Sequence, residues 1–156
     1  MLKTAFSLLF WSYVFLQTVV LGDSEPLYRK LGRHLIIEMQ GVQFDQLNSI
    51  VLMENYFRTA CKRGNLTLLD INMHEFQPHG VSGVAVLAES HISVHTWPEY
   101  GYAALDIFTC GDTADPEAAL MSLKDQLGSS KMKVTRLDRG LPAAPEDRQA
   151  VRTDEL

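Results

Sequence analysis

Between Val81 and Gly111 the chain carries three β-prone runs almost back to back, VSGVAVLAESHISVHTWPEYGYAALDIFTCG. The first, Val84 to Ala88, is an apolar stretch that reads as a buried strand. The second, Ile92 to Trp97, and the third, Tyr102 to Thr109, are joined by Pro98-Glu99-Tyr100-Gly101. A short link bearing proline and glycine between two such runs predicts a hairpin. Glu89-Ser90-His91 interrupts the apolar pattern where more core is expected. The hairpin thus gathers a hydroxyl (Ser90), imidazoles (His91, His95), carboxylates (Glu89, Glu99) and a thiol (Cys110). Nucleophile, base and proton donor on one short rigid element form a catalytic constellation. Alternation along the second strand puts His91, Ser93, His95 and Trp97 on one face and Ile92 and Val94 on the other.

The rest of the chain frames this hairpin. His34 to Met39 alternates as a strand, with Leu35, Ile37 and Met39 on one face. From Gln43 to Arg63 the apolar positions Leu47, Ile50, Val51, Phe57, Ala60 and Cys61 take helical spacing. Asp45 is the expected N-cap of that helix, and Lys62-Arg63-Gly64 its cationic, glycine-stopped end. Leu66 to Asn72 reads as a strand, and Met73 to His79 as a loop broken by Pro78 and Gly80. Asp115-Pro116-Glu117 opens a second helix, whose stripe is Ala119, Leu120, Leu123 and Leu127 and whose stop is Gly128. Lys131 to Leu137 is a last strand, with Met132 and Val134 toward the core. The order β-α-β-β-β-β-α-β implies an α+β two-layer sandwich, its helices on one face of a mainly antiparallel sheet.

At 156 residues the chain is long enough for one domain with a real core. A formal charge of −5 without a Lys/Arg cluster argues against a nucleic-acid partner. Two cysteines make no disulfide framework, and neither they nor the five histidines fall at a metal-ligand spacing, so no metal is expected. Residues 1–22 form an apolar segment with three open readings: a signal peptide ending near Val20-Leu21-Gly22, a membrane anchor, or a mis-called translation start. Residues 23–30 read as a polar linker, 31–140 as the domain, and 141–156 as a tail expected to be disordered.

Several blocks, in one order and at one spacing, carry a resemblance. They are Leu31-Gly32-Arg33-His34-Leu35, Gly80-Val81-Ser82-Gly83, Glu89-Ser90-His91, Ser93 through Tyr102, and Phe108-Thr109-Cys110-Gly111. Together they resemble the bacterial-type S-adenosylmethionine decarboxylases, pyruvoyl enzymes made as proenzymes. The resemblance implies self-cleavage between Glu89 and Ser90, helped by Ser82 and His95. Ser90 would attack the Glu89 carbonyl to give an ester, and elimination would leave a covalent pyruvoyl group, with neither metal nor pyridoxal phosphate. That group would form a Schiff base with S-adenosylmethionine and accept the electrons left by CO₂.

By the same resemblance Cys110 protonates the product carbanion, Phe76 stacks on the substrate adenine, Ile92 is the adenine's aliphatic neighbour, and Glu99 holds the ribose. The product is the aminopropyl donor for spermidine synthesis. Two protomers of cleaved chains are expected to pair, with the active site at their interface. A cytosolic substrate makes the cytoplasm the expected compartment, with membrane anchoring or export through residues 1–22 as the alternative. Two alternatives accompany this reading: an arginine or ornithine decarboxylase on the same scaffold, and a non-catalytic subunit of an active homologue.

Overall fold

The computed structural model describes residues 30–140. The expectations for residues 1–22 and 141–156, and for all but the end of the linker, lie outside the described residues. Within them the chain runs β1 (Gly32–Gln40), α1 (Phe44–Leu47), α2 (Ile50–Arg63), β2 (Leu68–Glu75), β3 (Val81–Leu87), β4 (Ser90–Trp97), a 3₁₀ turn (Pro98–Tyr100), β5 (Tyr102–Cys110), α3 (Pro116–Leu127) and β6 (Lys131–Arg139).

The strands form one sheet in the order β2-β3-β4-β5-β1-β6, with every neighbouring pair antiparallel. The expected hairpin is its centre: β4 and β5 pair from Ser90↔Thr109 to Trp97↔Tyr102. Gly101, at φ 58° in the left-handed region, closes the turn where a side chain would also meet the Val42 carbonyl.

Alternation sends Leu35, Ile37, Met39, Ala85, Leu87, Ile92, Val94, Ala103, Leu105 and Ile107 to the face covered by helices. There they meet Met53, Phe57, Ala60 and Cys61 of α2 and Ala119, Leu120, Leu123 and Leu127 of α3, all buried. This is the α+β two-layer architecture read from the sequence. Among the described residues no helix covers the opposite sheet face, where His91, Ser93, His95 and Asp106 stand.

The structure corrects the first helix. Asp45 does not cap it; the chain makes one turn at α1, breaks at Asn48-Ser49, and restarts with the Ser49 hydroxyl accepting the Leu52 N–H at 3.3 Å. The break frees the Leu47 carbonyl to take the buried Thr96 hydroxyl at 2.9 Å and the Asn48 amide oxygen to take the Gly80 N–H at 2.8 Å. Two tertiary bonds thus replace one more helical turn. The restart also shifts the helix phase. Val51, read as apolar-face, is 69% exposed, and Met53 takes the core position.

β2 is also displaced from its expected span. It runs on through Met73-His74-Glu75, which pair with Gly83, Ser82 and Val81, so these residues are sheet and the loop starts at Phe76. Met132 and Val134 of the edge strand β6 are half-buried and pack against the rim of the core.

Candidate active site

Between β3 and β4 the chain reverses through only Ala88-Glu89, with Leu87 paired to Ser90. Such two-residue loops relax through residues of positive φ, usually glycine or asparagine. Neither Ala88 nor Glu89 adopts it, and Ser90 instead stands at φ 152°. For a residue with a β-carbon such backbone costs about 1–3 kcal/mol and needs surroundings that hold it.

Those surroundings are specific. The Glu89 carboxylate accepts the Thr67 N–H at 2.9 Å, and the Ala88 N–H donates to the Thr67 carbonyl at 2.9 Å. Partial burial opposes the charge on Glu89, but hydrogen bonds from Thr67 and from its own backbone outweigh it and hold the carboxyl below its ordinary range. On the other side the Glu89 carbonyl accepts the Cys110 N–H at 2.9 Å. The peptide between Glu89 and Ser90 is therefore strained at one residue and polarised at its carbonyl.

Two neighbours complete this end of the sheet. Thr109, paired with Ser90, is 1% exposed and its hydroxyl has no partner among the described residues. A buried hydroxyl left so costs about 1–3 kcal/mol, and the cost falls beside the strained Ser90. Cys110 is half-buried at the end of β5, opposite Gly32 of β1. A β-carbon on Gly32 would stand 2.5 Å from the Phe108 ring and 2.9 Å from the Thr109 carbonyl, so only glycine lets β1 approach here. These residues fit a pyruvoyl group made from Ser90: its hydroxyl adjoins a gripped carbonyl, Thr109 pairs with it across the strands, and Cys110, whose N–H grips that carbonyl, carries a thiol.

A second cluster lies at the other end of β4. Ser82 and His95 are cross-strand partners, and the Ser82 hydroxyl donates to the Val94 carbonyl at 3.3 Å. The His95 ring lies between Trp97, at 4.2 Å between centroids, and Phe76, at 5.5 Å. Glu99, in the turn after β4, pairs with His79 at 3.0 Å, and His79 packs edge-on against Phe44. His79 precedes Gly80, whose missing β-carbon would lie 4.0 Å from Phe76 and 3.9 Å from Pro98. Phe76, Ser82, His79, His95 and Glu99 are thus neighbours. His79 had no role from sequence, because a lone histidine in a loop carries no signal until its carboxylate partner is placed.

The two clusters do not meet within one chain. Ser90 opens β4 and His95 lies near its end; at about 3.3 Å per residue the separation is about 16 Å. Ile92, expected beside the adenine, requires a correction. It is fully buried on the helix side with Leu35 and Ile107, opposite to His91 and His95. Strand alternation seals it under the sheet, so it packs the core and offers no surface to a ligand on the open face.

A polar network crosses that open face. His34 Nε2 lies 3.1 Å from Asp106, the Ser93 hydroxyl donates to Asp106 at 3.2 Å, and Arg139 Nη1 lies 2.9 Å from His34 Nδ1. Arg139 also stacks over Phe108 at 5.5 Å. The guanidinium only donates, so His34 carries its proton on Nε2 and gives it to the carboxylate. Farther along, the Tyr102 hydroxyl donates to Glu38, which pushes the phenol up to about 12. No group of three or more metal-binding side chains occurs among the described residues.

An α+β two-layer domain with a serine hydroxyl, a gripped peptide and a thiol at one end of its central hairpin defines a class of enzyme. A family model described as S-adenosylmethionine decarboxylase matches residues 33–140, and the chain belongs to that family. An S-adenosylmethionine decarboxylase proenzyme of Prochlorococcus marinus is 45% identical over 114 residues, covering 73% of this chain and 91% of that protein. Another, of Syntrophomonas wolfei, is 41% identical over 120 residues, covering 77% and 95%. The crystal structure of the adenosylmethionine decarboxylase from Aquifex aeolicus superposes with a TM-score of 0.70 at 36% identity, covering 74% of this chain and 95% of that one.

Proposed function

We propose that this protein is a proenzyme that cuts itself between Glu89 and Ser90 and then decarboxylates S-adenosylmethionine to the aminopropyl donor for spermidine synthesis. The observation that carries the reading is the Glu89–Ser90 peptide, strained at Ser90 and hydrogen-bonded at its carbonyl by Cys110. Relatives named for S-adenosylmethionine support that substrate over arginine or ornithine. The presence of Ser82, Glu89, Ser90, His95 and Cys110 together speaks for an active chain over a non-catalytic subunit.

The chain's own residues divide the work. Ser90 supplies the attacking oxygen, and the Cys110 N–H receives the negative charge that develops on the Glu89 oxygen. His95, held by Phe76 and Trp97 and flanked by Ser82, serves as the base that completes the cleavage. A pyruvoyl group made from Ser90 would supply a ketone for the substrate amine and a sink for the electrons released with CO₂. The Cys110 thiol then delivers a proton to the substrate α-carbon, Phe76 stacks on the adenine, and Glu99 turns from His79 to the ribose hydroxyls.

A gap of about 16 Å between Ser90 and His95 supports a site that draws its halves from two copies of the chain. We therefore read the working unit as a symmetric pair whose uncovered sheet faces meet. Among the described residues no helix is long and apolar enough to cross a membrane. Given a cytosolic substrate, the cytoplasm is the proposed compartment.

Intact-mass analysis of purified protein tests the reading. Two chains are expected, one ending at Glu89 and one beginning at residue 90, with Ser90→Ala staying whole and inactive. A wild-type protein that stays uncleaved under native conditions overturns it.

A further inference from the structure

His91 stands beside the nucleophile on the open face of the sheet, and the proposed function leaves it without work. Its Nδ1 lies 3.2 Å from the Ser90 hydroxyl oxygen, within hydrogen-bond reach of the atom that must lose a proton in the first step. The other imidazole of the site, His95, is about 16 Å away along the same strand. The His91 ring is also held. Phe108 meets it edge-on at 5.9 Å, and Phe108 itself is fixed by His34 at 5.4 Å and by the Arg139 guanidinium at 5.5 Å. Gly32 leaves the space that Phe108 fills, since a β-carbon there would stand 2.5 Å from the ring.

We infer that His91 is the general base for the opening step of self-cleavage, an inference that rests on the proenzyme reading above. Neutral His91, with its proton on Nε2, accepts the Ser90 hydroxyl proton at Nδ1 as Oγ bonds to the Glu89 carbonyl carbon. The carbonyl π pair moves onto oxygen, where the Cys110 N–H holds it. The oxygen's electron pair then re-forms the carbonyl as the carbon–nitrogen bond breaks, its electrons going to the Ser90 nitrogen, and His91 returns the proton to that nitrogen. An amide becomes an ester and an amine, with no atom gained or lost. His91 acts before the ester and His95 after it, so two imidazoles at opposite ends of β4 serve successive steps. The resting hydrogen bond also assigns a use to Phe108: it keeps the imidazole from rotating away into solvent.

The test is a time course of cleavage by intact mass, using the full chain with His91→Ala, His91→Asn and His91→Phe. Asparagine keeps a polar group without a usable base, and phenylalanine keeps the contact with Phe108. Variants whose circular dichroism and thermal unfolding match wild type are expected to cleave about 10²- to 10⁴-fold more slowly, the usual loss for a positioned base. Their uncleaved chains should resist hydroxylamine, which cuts an ester and leaves an amide. A folded His91 variant that cleaves within about threefold of the wild-type rate overturns the inference, on a scale where a lost base costs about 10²-fold or more. Accumulation of a hydroxylamine-sensitive chain overturns it too, because the block then falls after the ester. Wild type in the same experiment keeps the readings apart. If wild type stays whole, the proenzyme reading fails; if it cleaves, the His91 variants decide the base.

Discussion

The backbone N–H of Cys110 donates to the carbonyl of Glu89 at 2.9 Å, so the residue proposed to protonate the substrate also grips the peptide to be cut. The two roles use different atoms of one residue, the amide for cleavage and the thiol for turnover. The cross-strand register makes this possible: Ser90 pairs with Thr109, and the next residue of β5 lies level with the turn that holds Glu89.

Cys110→Ala separates those roles. Alanine keeps the amide, so the variant should still give two chains by intact mass. Loss of a positioned proton donor should lower decarboxylation about 10²- to 10⁴-fold, far beyond the packing loss of one sulfur atom. Full activity in a cleaved Cys110→Ala protein would assign the proton to another group.

Composite sites predict complementation. Ser90→Ala and His95→Ala should each fail to complete cleavage alone. Co-expressed and paired at random, about half of the His95→Ala chains meet a Ser90→Ala partner and gain one intact site, so about half should be cut. No cleavage in mixed pairs verified by affinity tagging would place both halves of the site in one chain.

Chemical sensitivity follows from a ketone as the reactive group. Borohydride or hydroxylamine applied to cleaved enzyme should abolish decarboxylation, while chelators should leave it intact and pyridoxal phosphate should add nothing. Activity lost to a chelator and restored by zinc would contradict the mechanism.

Cys61 should behave as an inert core residue with an alkaline signature. It is 2% exposed; burial first, and the nearby Glu89 carboxylate second, push its thiol up to about 11 from an ordinary 9.0. Between those values the unfolded chain gives up the proton while the folded chain keeps it. Stability is therefore undiminished by this group below pH 9.0 and falls as pH rises toward about 11. Cys61→Ala should flatten that part of the stability curve, and iodoacetamide mapping at neutral pH should leave Cys61 unmodified until the protein unfolds.

A chain starting at Glu25 tests the proposed domain boundary. It should be soluble, cleave itself and turn over like the full-length protein. Folding without cleavage would make the apolar N-terminal segment part of the domain.

The succession of strands, the central hairpin and the apolar stripe of α3 were legible in the sequence because alternation and helical spacing are local signals. Leu35-Ile37-Met39 and Ala119-Leu120-Leu123 face the core as their spacing requires. The sequence also named the chemistry-bearing residues, since hydroxyl, imidazole and thiol are properties of residue type. What it could not place was decided by contacts distant along the chain. The helix break at Ser49 exists because Thr96 and Gly80 claim the backbone and side chain before it. The strain at Ser90 follows from pairing Leu87 with Ser90 across a two-residue loop whose own residues keep negative φ. Ile92 turned from ligand neighbour to core because one strand has two faces and only one of them is open. The role proposed for His91 rests on its Nδ1 standing beside the Ser90 hydroxyl, and the separation of His95 from Ser90 rests on the extended course of β4. Residue type fixes which reactions a chain can attempt; the distance and direction between groups, set by register and packing across the whole sheet, decide which group performs each step.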